Sequence, residues 1–109
     1  GVKIVARQVQ APQMDNLRVA ADAIKNRMPS GVIVLASAHE GKVNLVCMVS
    51  DDFVARGLHA GNIIKEIAKV VGGSGGGKPA MAQAGGKYPA EIGRALSLAS
   101  SLVSAQLKL

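Results

Sequence analysis

Residues 32–50 read VIVLASAHEGKVNLVCMVS, in which two apolar runs rich in β-branched residues flank a short polar segment. The runs cover residues 32–38 and 42–50, and His39, Glu40 and Gly41 connect them. Two strand-like runs at this spacing are typical of a β-hairpin. We therefore predict two antiparallel strands, side by side in one sheet, near the middle of the chain.

The segment before the hairpin predicts a strand and then a helix. Residues 3–9 alternate apolar and polar side chains, as a strand does. Asp15 or Asn16 can cap the helix, and Pro29 with Gly31 should stop it. Strand, helix and strand form a βαβ unit, so that strand pair is predicted to be parallel and the sheet mixed. The apolar face of the helix is expected to consist of Leu17, Ala20, Ala21, Ile24 and Met28.

The segment after the hairpin predicts a second helix. Residues 51–53 are expected to form a turn and residues 54–71 a helix that Gly57 or Gly61 interrupts. Asn62 is the expected cap of its second part.

A glycine-rich loop is predicted next, and it begins with Gly72 and Gly73, which can end the helix in left-handed conformations. A short fourth strand is expected over residues 79–84, and Pro89 should be the first residue of a last helix. The predicted fold class is α/β, α+β-like: a small mixed sheet with about three helices packed on it. Residues 1–109 are expected to form a single domain.

The glycine run contains GGSGGGK at residues 72–78, which begins like the phosphate loop of nucleoside triphosphatases. That loop requires Ser or Thr after the lysine, to hold magnesium, and here the residue is Pro79. It also requires a strand before it and a helix after it, whereas this run follows a helix. We therefore reject a triphosphatase. Two interpretations stay open: exposed backbone N–H groups bracketed by Lys78 and Lys87, or a tight crossover that needs glycine for steric reasons.

The composition favours a polyanionic partner. Thirteen Lys and Arg against seven acids give a formal charge of +6, which points to RNA or DNA first. Phe53 and Tyr88 are the sole aromatic residues, which argues against a protein that stacks single-stranded bases. Cys47 lies within an apolar run and is expected to be a buried, inert thiol. The chain begins at Gly1 rather than Met, so we expect a piece of a larger protein or a processed chain.

The glycine run is followed by Lys78 and Pro79 and then by MAQAGG at residues 81–86. This succession resembles the signature of the DHH-associated domain family, in the form found at the C-terminal end of alanyl-tRNA synthetases and called C-Ala. The likeness extends over nearly the whole chain, and the AQ-A-GG pattern is its specific part. Phosphoesterases of the family typically have a His directly after the glycines, so Lys78 favours the synthetase branch.

The resemblance implies a noncatalytic module that needs no cofactor of its own. Its implied role is to hold the outer corner of a tRNA, where the D and T loops meet, so that the aminoacylation and editing domains act on the same tRNA. The parent enzyme would be a cytoplasmic alanine–tRNA ligase, with ATP, magnesium and zinc bound in its other domains. tRNA and those domains are the implied partners, and no membrane is expected.

The expected site combines cations that can reach phosphates with the glycines that let RNA approach the backbone. Tyr88 is expected either to stack on an exposed base pair or to pack on the last helix. The residues predicted to bind tRNA are Lys65, Lys69, Gly72, Gly73, Gly75, Gly76, Gly77, Lys78, Gln83, Gly85, Gly86, Lys87 and Arg94.

Two alternatives remain at this point. The chain could be the domain of a DHH-type phosphoesterase that binds a nucleotide or oligonucleotide substrate. It could also form a homo-oligomer through an apolar face of the last helix. The residues that would form that face are Leu96, Leu98, Leu102, Val103 and Leu107.

Overall fold

The computed structural model describes residues 2–107, which fold as a five-stranded mixed sheet with helices on both faces. The predicted domain of residues 1–109 therefore includes Gly1, Lys108 and Leu109, which lie outside the described residues. The strands are β1 (Ile4–Gln8), β2 (Val32–His39), β3 (Lys42–Val49), β4 (Ser74–Gly77) and β5 (Met81–Gly86). The helices are α1 (Met14–Arg27), α2 (Asp51–Ala55), α3 (Ala60–Val70), α4 (Ile92–Ser97) and α5 (Ala99–Leu107).

The predicted hairpin and the predicted parallel pair are both confirmed. The strand order is β1-β2-β3-β5-β4, with β1 parallel to β2 and every other neighbouring pair antiparallel. The hairpin turn is tighter than expected, because His39 still pairs with Lys42 inside the ladder. Glu40 (φ 51°) and Gly41 (φ 78°) alone form the turn. Two consecutive left-handed residues give the twist that a two-residue hairpin requires.

Side chains of the sheet alternate between two separate apolar layers. On one face, Leu17 and Ala21 of α1 pack against β2 and β3. On the other face, α3, α4 and α5 form the larger core, in which Ile63, Ile64 and Ile67 are fully buried. Helix α1 thus covers the middle of the sheet, while α3 reaches the β5 and β4 side of the opposite face.

The predicted helix caps were wrong, because both helices begin earlier than Asp15, Asn16 or Asn62. The residue before α1 is Gln13, which makes no side-chain cap, and Asp15 lies in the first turn, where its charge suits the helix dipole. The cap of α3 is His59, whose Nδ1 accepts a hydrogen bond from the Asn62 N–H at 3.2 Å. An imidazole nitrogen thus fills the place that an Asn side chain was expected to take.

The predicted break at Gly57 is confirmed, but the helix before it begins earlier than expected. Helix α2 begins at Asp51, where a turn was predicted, and Gly57 (φ 108°) separates it from α3, while Gly61 lies inside α3. The last helix is interrupted too: Pro89 opens a single 3-10 turn before α4, and Leu98 separates α4 from α5. None of the helices within residues 2–107 has the length and apolar character needed to cross a bilayer.

Candidate nucleic-acid interface

The glycine run is an edge strand, and the prediction of a loop was wrong. Gly72 (φ 71°) ends α3 in the left-handed region, and the chain then runs extended as β4, antiparallel to β5. The neighbouring strand was predicted two residues too early, at residues 79–84, whereas β5 runs from Met81 to Gly86. Glycine has a low propensity for β-strands. Pairing with β5 and contact with α3 outweigh that low propensity here. All four residues of β4 are exposed.

On the α3 side of the ribbon formed by β4 and β5, the fold itself requires glycine. A Cβ on Gly77 would lie 2.8 Å from both the Ala82 Cα and the Met81 O. A Cβ on Gly73 or Gly75 would overlap β5 backbone, and one on Gly86 would lie 2.8 Å from the Val71 O. The steric interpretation therefore accounts for these four positions.

On the opposite side of the same ribbon, the fold does not require glycine. A Cβ on Gly76 would have no atom within 4 Å, and one on Gly85 would meet only the Val43 O at 3.6 Å. Neither residue has a positive φ. A shallow depression of about 290 Å³ lies here, lined by Gly76, Gly77, Lys78, Met81, Ala82 and Gln83. The steric interpretation does not explain Gly76 or Gly85.

Three of the predicted lysines are exposed around this ribbon. Lys78 directly follows β4, and Lys87 directly follows β5. Lys65 lies one turn after Gly61, the α3 residue that touches β4. Met81 lies opposite Lys78, and Lys87 follows Met81 by six residue steps along β5. The two lysines therefore mark the two ends of a ribbon roughly 20 Å long. No ion pair involving these three lysines occurs among residues 2–107.

Two further predicted cations have acidic partners. The Lys69 Nζ lies 3.2 Å from the Glu66 Oε1, and the Arg94 NH1 lies 3.2 Å from the Glu91 Oε2. Both pairs are exposed and span three residues of chain, an arrangement that stabilises a helix by a few tenths of a kcal/mol. Helix α4 packs on β1, β2 and α3, so α3 separates Arg94 from β4. The structure thus groups Lys65, Lys78 and Lys87 beside the glycines and places Arg94 elsewhere.

The exposed ring of Tyr88 covers the end of α3 rather than the last helix. A Cβ added to Gly72 would overlap this ring, so the ring lies directly on the glycine backbone. The side chain remains 54% exposed. Residues 71–90 contain Lys78 and Lys87 and no acid, so the segment that carries Tyr88 is purely basic.

The leucines of the last helices serve the core. Leu96, Leu102 and Leu107 pack against it, and Leu98 is half-buried. The large apolar side chains that are exposed among residues 2–107 are Val19 and Tyr88, which lie on other segments. Self-association through this face stays a prediction.

The thiol of Cys47 is fully buried, as predicted, and burial raises its pKa to about 12. A buried thiol with such a pKa stays protonated at neutral pH and is a poor nucleophile. Within residues 2–107, His, Cys, Asp and Glu side chains form no group of three that would suit a metal ion.

Two residues of the site were missed from the sequence, for different reasons. Met81 shares a sheet face with Gln83 and Gly85, and the period of two along β5 could have placed it there. The contact between Gly61 and the Gly77 backbone has no sequence signal, because it depends on how closely α3 approaches β4.

Comparison with known proteins gives consistent results. The sequence model of the DHHA1 domain matches residues 1–105. The chain is 55% identical over 108 residues to an alanine–tRNA ligase of Pelotomaculum thermopropionicum and 51% identical over 107 residues to that of Desulforamulus reducens. These alignments cover 99% and 98% of this chain and 12% of each relative, so the chain spans about an eighth of their length.

A solved structure resembles the whole fold. The C-Ala domain of alanyl-tRNA synthetase from Aquifex aeolicus superposes with a TM-score of 0.85 at 30% sequence identity. The match covers 94% of this chain and 92% of that domain. The mixed sheet and its helices are therefore shared by the two proteins.

Proposed function

The chain belongs to the DHHA1 domain family, and from that membership we propose that it is the noncatalytic tRNA-binding module of an alanyl-tRNA synthetase. The named relatives are alanine–tRNA ligases, and the solved structure is the C-Ala domain of such an enzyme. These similarities favour the synthetase over the phosphoesterase alternative. The single observation that carries the proposal is an exposed glycine strand whose flanking lysines have no acidic partner among residues 2–107.

The free edge of β4 supplies hydrogen-bond donors. The Lys78 N–H donates to the Met81 O at 2.9 Å, which makes this a hydrogen-bonded pair of the antiparallel ladder. Because bonded and non-bonded pairs alternate, Gly75 and Gly77 direct their N–H groups away from the sheet. Two outward N–H groups in the strand that Lys78 directly follows suit phosphate oxygens.

We propose that the RNA feature bound is the outer corner of tRNA. A folded RNA corner offers phosphates, ribose hydroxyls and the end of a base stack, so shape and charge matter more than base sequence. The ribbon has few side chains that could read base edges. Little preference for the alanine isoacceptor is expected from the isolated chain.

In the parent synthetase, binding of the tRNA corner by this domain would let one tRNA reach both the aminoacylation and the editing domains. Those domains would be the direct protein partners and would hold the ATP, magnesium and zinc. The whole enzyme would then be an alanine–tRNA ligase of the cytoplasm, where tRNA is charged. Lys69 and the remaining glycines of the predicted set are assigned secondary contacts, and Arg94, beyond α3, is left outside the proposed contact surface.

The test is a gel-shift or filter-binding titration with unfractionated tRNA at two salt concentrations, with duplex DNA as a comparison. If Lys65, Lys78 and Lys87 each neutralise one phosphate, the slope of log K against log salt is about −2 to −3, and a fourfold rise in salt weakens binding roughly 20- to 40-fold. Replacing all three lysines with glutamate should abolish binding.

A matched triple variant controls for net charge. Lys3, Arg7 and Lys25 are also exposed, but they lie beside or on β1 and on α1, away from the ribbon. Replacing them with glutamate changes the charge equally and should leave most of the affinity. Equal losses in the two triple variants would show that the chain binds RNA by net charge alone and would refute the proposed surface.

A further inference from the structure

Strand β1 forms the second free edge of the sheet, at the margin opposite β4. The Lys3 O and the Val9 N–H both bond to β2, at 2.9 and 2.8 Å. Successive residues of a strand direct their backbone groups to opposite sides in the plane of the sheet. Ile4, Ala6 and Gln8 therefore direct their N–H and C=O groups away from β2, and within residues 2–107 these outward groups have no hydrogen-bond partner.

A groove of about 580 Å³ lies beside this free edge. Ile4 and Ala6 of β1 form one wall, and residues of α4 and α5 form the other. Among the described residues, no charged side chain lines the groove, so it suits apolar side chains of a protein rather than phosphates. The residues of the second wall are Gly93, Leu96, Ser97, Ala99 and Ser100.

Gly93 lines this groove although the fold does not require glycine there. It lies in α4, and glycine is a poor helix former. A Cβ at this position would meet no atom within 4 Å, and the φ of Gly93 is not positive. Glycine of this kind is used where another chain or a ligand must approach the backbone closely. The space in front of Gly93 is therefore room for an occupant.

The other side of β1 is basic. Lys3, Val5 and Arg7 alternate with the two residues that line the groove, so they lie on the α1 side of the sheet. Helix α1 packs on β2 and β3, and both cations are exposed. Neither has an ion pair among residues 2–107. A strand bonded to this edge would place alternate side chains next to Lys3 and Arg7, where a carboxylate would be attracted.

We propose that the β1 edge binds an extended segment of a partner protein in which apolar and acidic side chains alternate. The segment adds a sixth strand to the five-stranded sheet. Its backbone bonds to Ile4, Ala6 and Gln8, its apolar side chains enter the groove, and its carboxylates lie beside Lys3 and Arg7. In strand addition of this kind, main-chain hydrogen bonds give affinity and alternate side chains give specificity. The partner surface is separate from the proposed tRNA surface, which lies at β4.

A second copy of this chain does not suit the edge. Its own β1 would bring another Lys3 and another Arg7 to the same face, and like charges on neighbouring strands are destabilising. Cations on an edge strand are one of the devices that keep copies of a protein apart. An acidic segment meets no such repulsion.

The test measures binding of the fluorescein-labelled peptide SVEVEVES by fluorescence anisotropy. As a strand, this peptide presents its valines on one face and its glutamates on the other. Two peptides are controls: SVKVKVKS reverses the charge, and SVEPEVES keeps the charge but loses a backbone donor to proline. SVEVEVES should bind more tightly than either control.

Gly93→Leu should fill the groove and weaken binding of SVEVEVES about 5- to 150-fold. Its urea midpoint should equal or exceed that of the parent, because leucine is the better helix former. The matched control is Gly76→Leu, since a Cβ there also meets nothing within 4 Å but lies on β4. Gly76→Leu should bind the peptide like the parent.

A charge reversal tests the basic side of β1. Lys3→Glu combined with Arg7→Glu should weaken binding of SVEVEVES about 2- to 30-fold and should make SVKVKVKS the tighter ligand. A purely structural role of the two cations would not reverse the preference between peptides. Lys65→Glu combined with Lys78→Glu makes the same change in net charge at the ribbon and should leave peptide binding unchanged.

Hydrogen exchange measured by NMR identifies the edge that pairs. Bound SVEVEVES should slow exchange of the Ile4, Ala6 and Gln8 amides, which have no partner in the free protein. The amides of Gly75 and Gly77, at the free edge of β4, should exchange as before.

Several outcomes would overturn the inference without touching the tRNA proposal. They are no binding of SVEVEVES at about 1 mM, equal binding by Gly93→Leu and the parent, and protection of Gly75 and Gly77 instead of the β1 amides. Equal losses in the two charge variants would show attraction by net charge alone and would also overturn it. A dimer of the parent that the peptide dissociates, seen by light scattering, would assign the edge to a second copy. The tRNA proposal is judged separately, by the titrations described for it.

Discussion

Replacing Gly61 with alanine tests how closely α3 and β4 must approach each other. Alanine is the better helix former, so helix propensity alone predicts a gain of up to about 1 kcal/mol. The structure predicts the opposite sign. A Cβ on Gly61 would lie 2.7 Å from the Gly77 O, 3.1 Å from the Gly77 N and 2.8 Å from the His59 Cε1.

The size of the effect follows from these distances. Ordinary contact of a Cβ begins near 3.4 Å, so α3 and β4 must separate by about 3.4 minus 2.7, or 0.7 Å. A gap of that size loses a quarter to a half of the dispersion energy between the two surfaces. Overpacking of this kind costs about 2–3 kcal/mol where backbone blocks relaxation. Subtracting the helix gain of about 1 kcal/mol leaves a net loss of about 1–2 kcal/mol.

Urea unfolding followed by circular dichroism measures this loss, and thermal unfolding should show a decrease of about 4–8 °C per kcal/mol for a domain of this size. Gly93→Ala is the control, since its Cβ meets nothing within 4 Å, and it should stabilise the protein slightly. Opposite signs for the same substitution in two helices would support the close contact. If Gly61→Ala were as stabilising as Gly93→Ala, the contact between α3 and β4 would be looser than these distances require and the reasoning would be wrong.

Three further predictions concern single groups. Cys47, with its pKa raised to about 12 by burial, should resist a thiol reagent at mildly alkaline pH until urea unfolds the protein; fast labelling of the native state would contradict this. The Ser30 Oγ donates to the Asp52 Oδ2 at 2.5 Å and lowers the pKa of Asp52 below its ordinary 3.8. Its stabilisation is therefore present at neutral pH and lost as pH falls through the folded pKa. In urea titrations, Asp52→Asn should be less stable than the parent at neutral pH, with a smaller difference below pH about 4; a constant difference would exclude the linkage. The Gln106 Oε1 accepts from the His59 N–H at 2.9 Å, so Gln106→Ala should cost about 1–2 kcal/mol in urea unfolding. Gln106→Glu keeps this acceptor but loses the Nε2 donor to the His59 O at 3.4 Å, so it should retain only part of that stability.

The central strands could be predicted because their signals are local. Two β-branched runs with a short polar connector fix the hairpin, and the strand, helix and strand before it fix the parallel pair. The errors fall where an element is defined by distant partners. Residues 74–77 form a strand because β5 and α3 hold them extended, and no window of the sequence shows those partners. The cap of α3 was misplaced for the same reason, since His59 is held by Gln106 near the end of the chain.

The candidate site could be predicted in composition and not in arrangement. The glycines and the neighbouring lysines were recognised from the run itself and from its resemblance to a known family. The sequence did not show that the glycines divide between two faces of one ribbon. That division depends on the register of β4 with β5, in which Ser74 lies opposite Gly85 and Gly77 lies opposite Ala82. Nor did it show that α3 lies between Arg94 and the ribbon.

The position of β4 at the margin of the sheet has a consequence for heat and denaturant. This strand is bonded to β5 on one side and otherwise touches α3, so it can detach while the other four strands stay paired. Such partial opening needs less free energy than complete unfolding, and glycine, which regains the most backbone freedom on release, makes it easier still. The proposed RNA-binding surface can therefore unfold before the rest of the domain does. A protein that still gives its native spectroscopic signal on heating can already have lost the ability to bind through this surface.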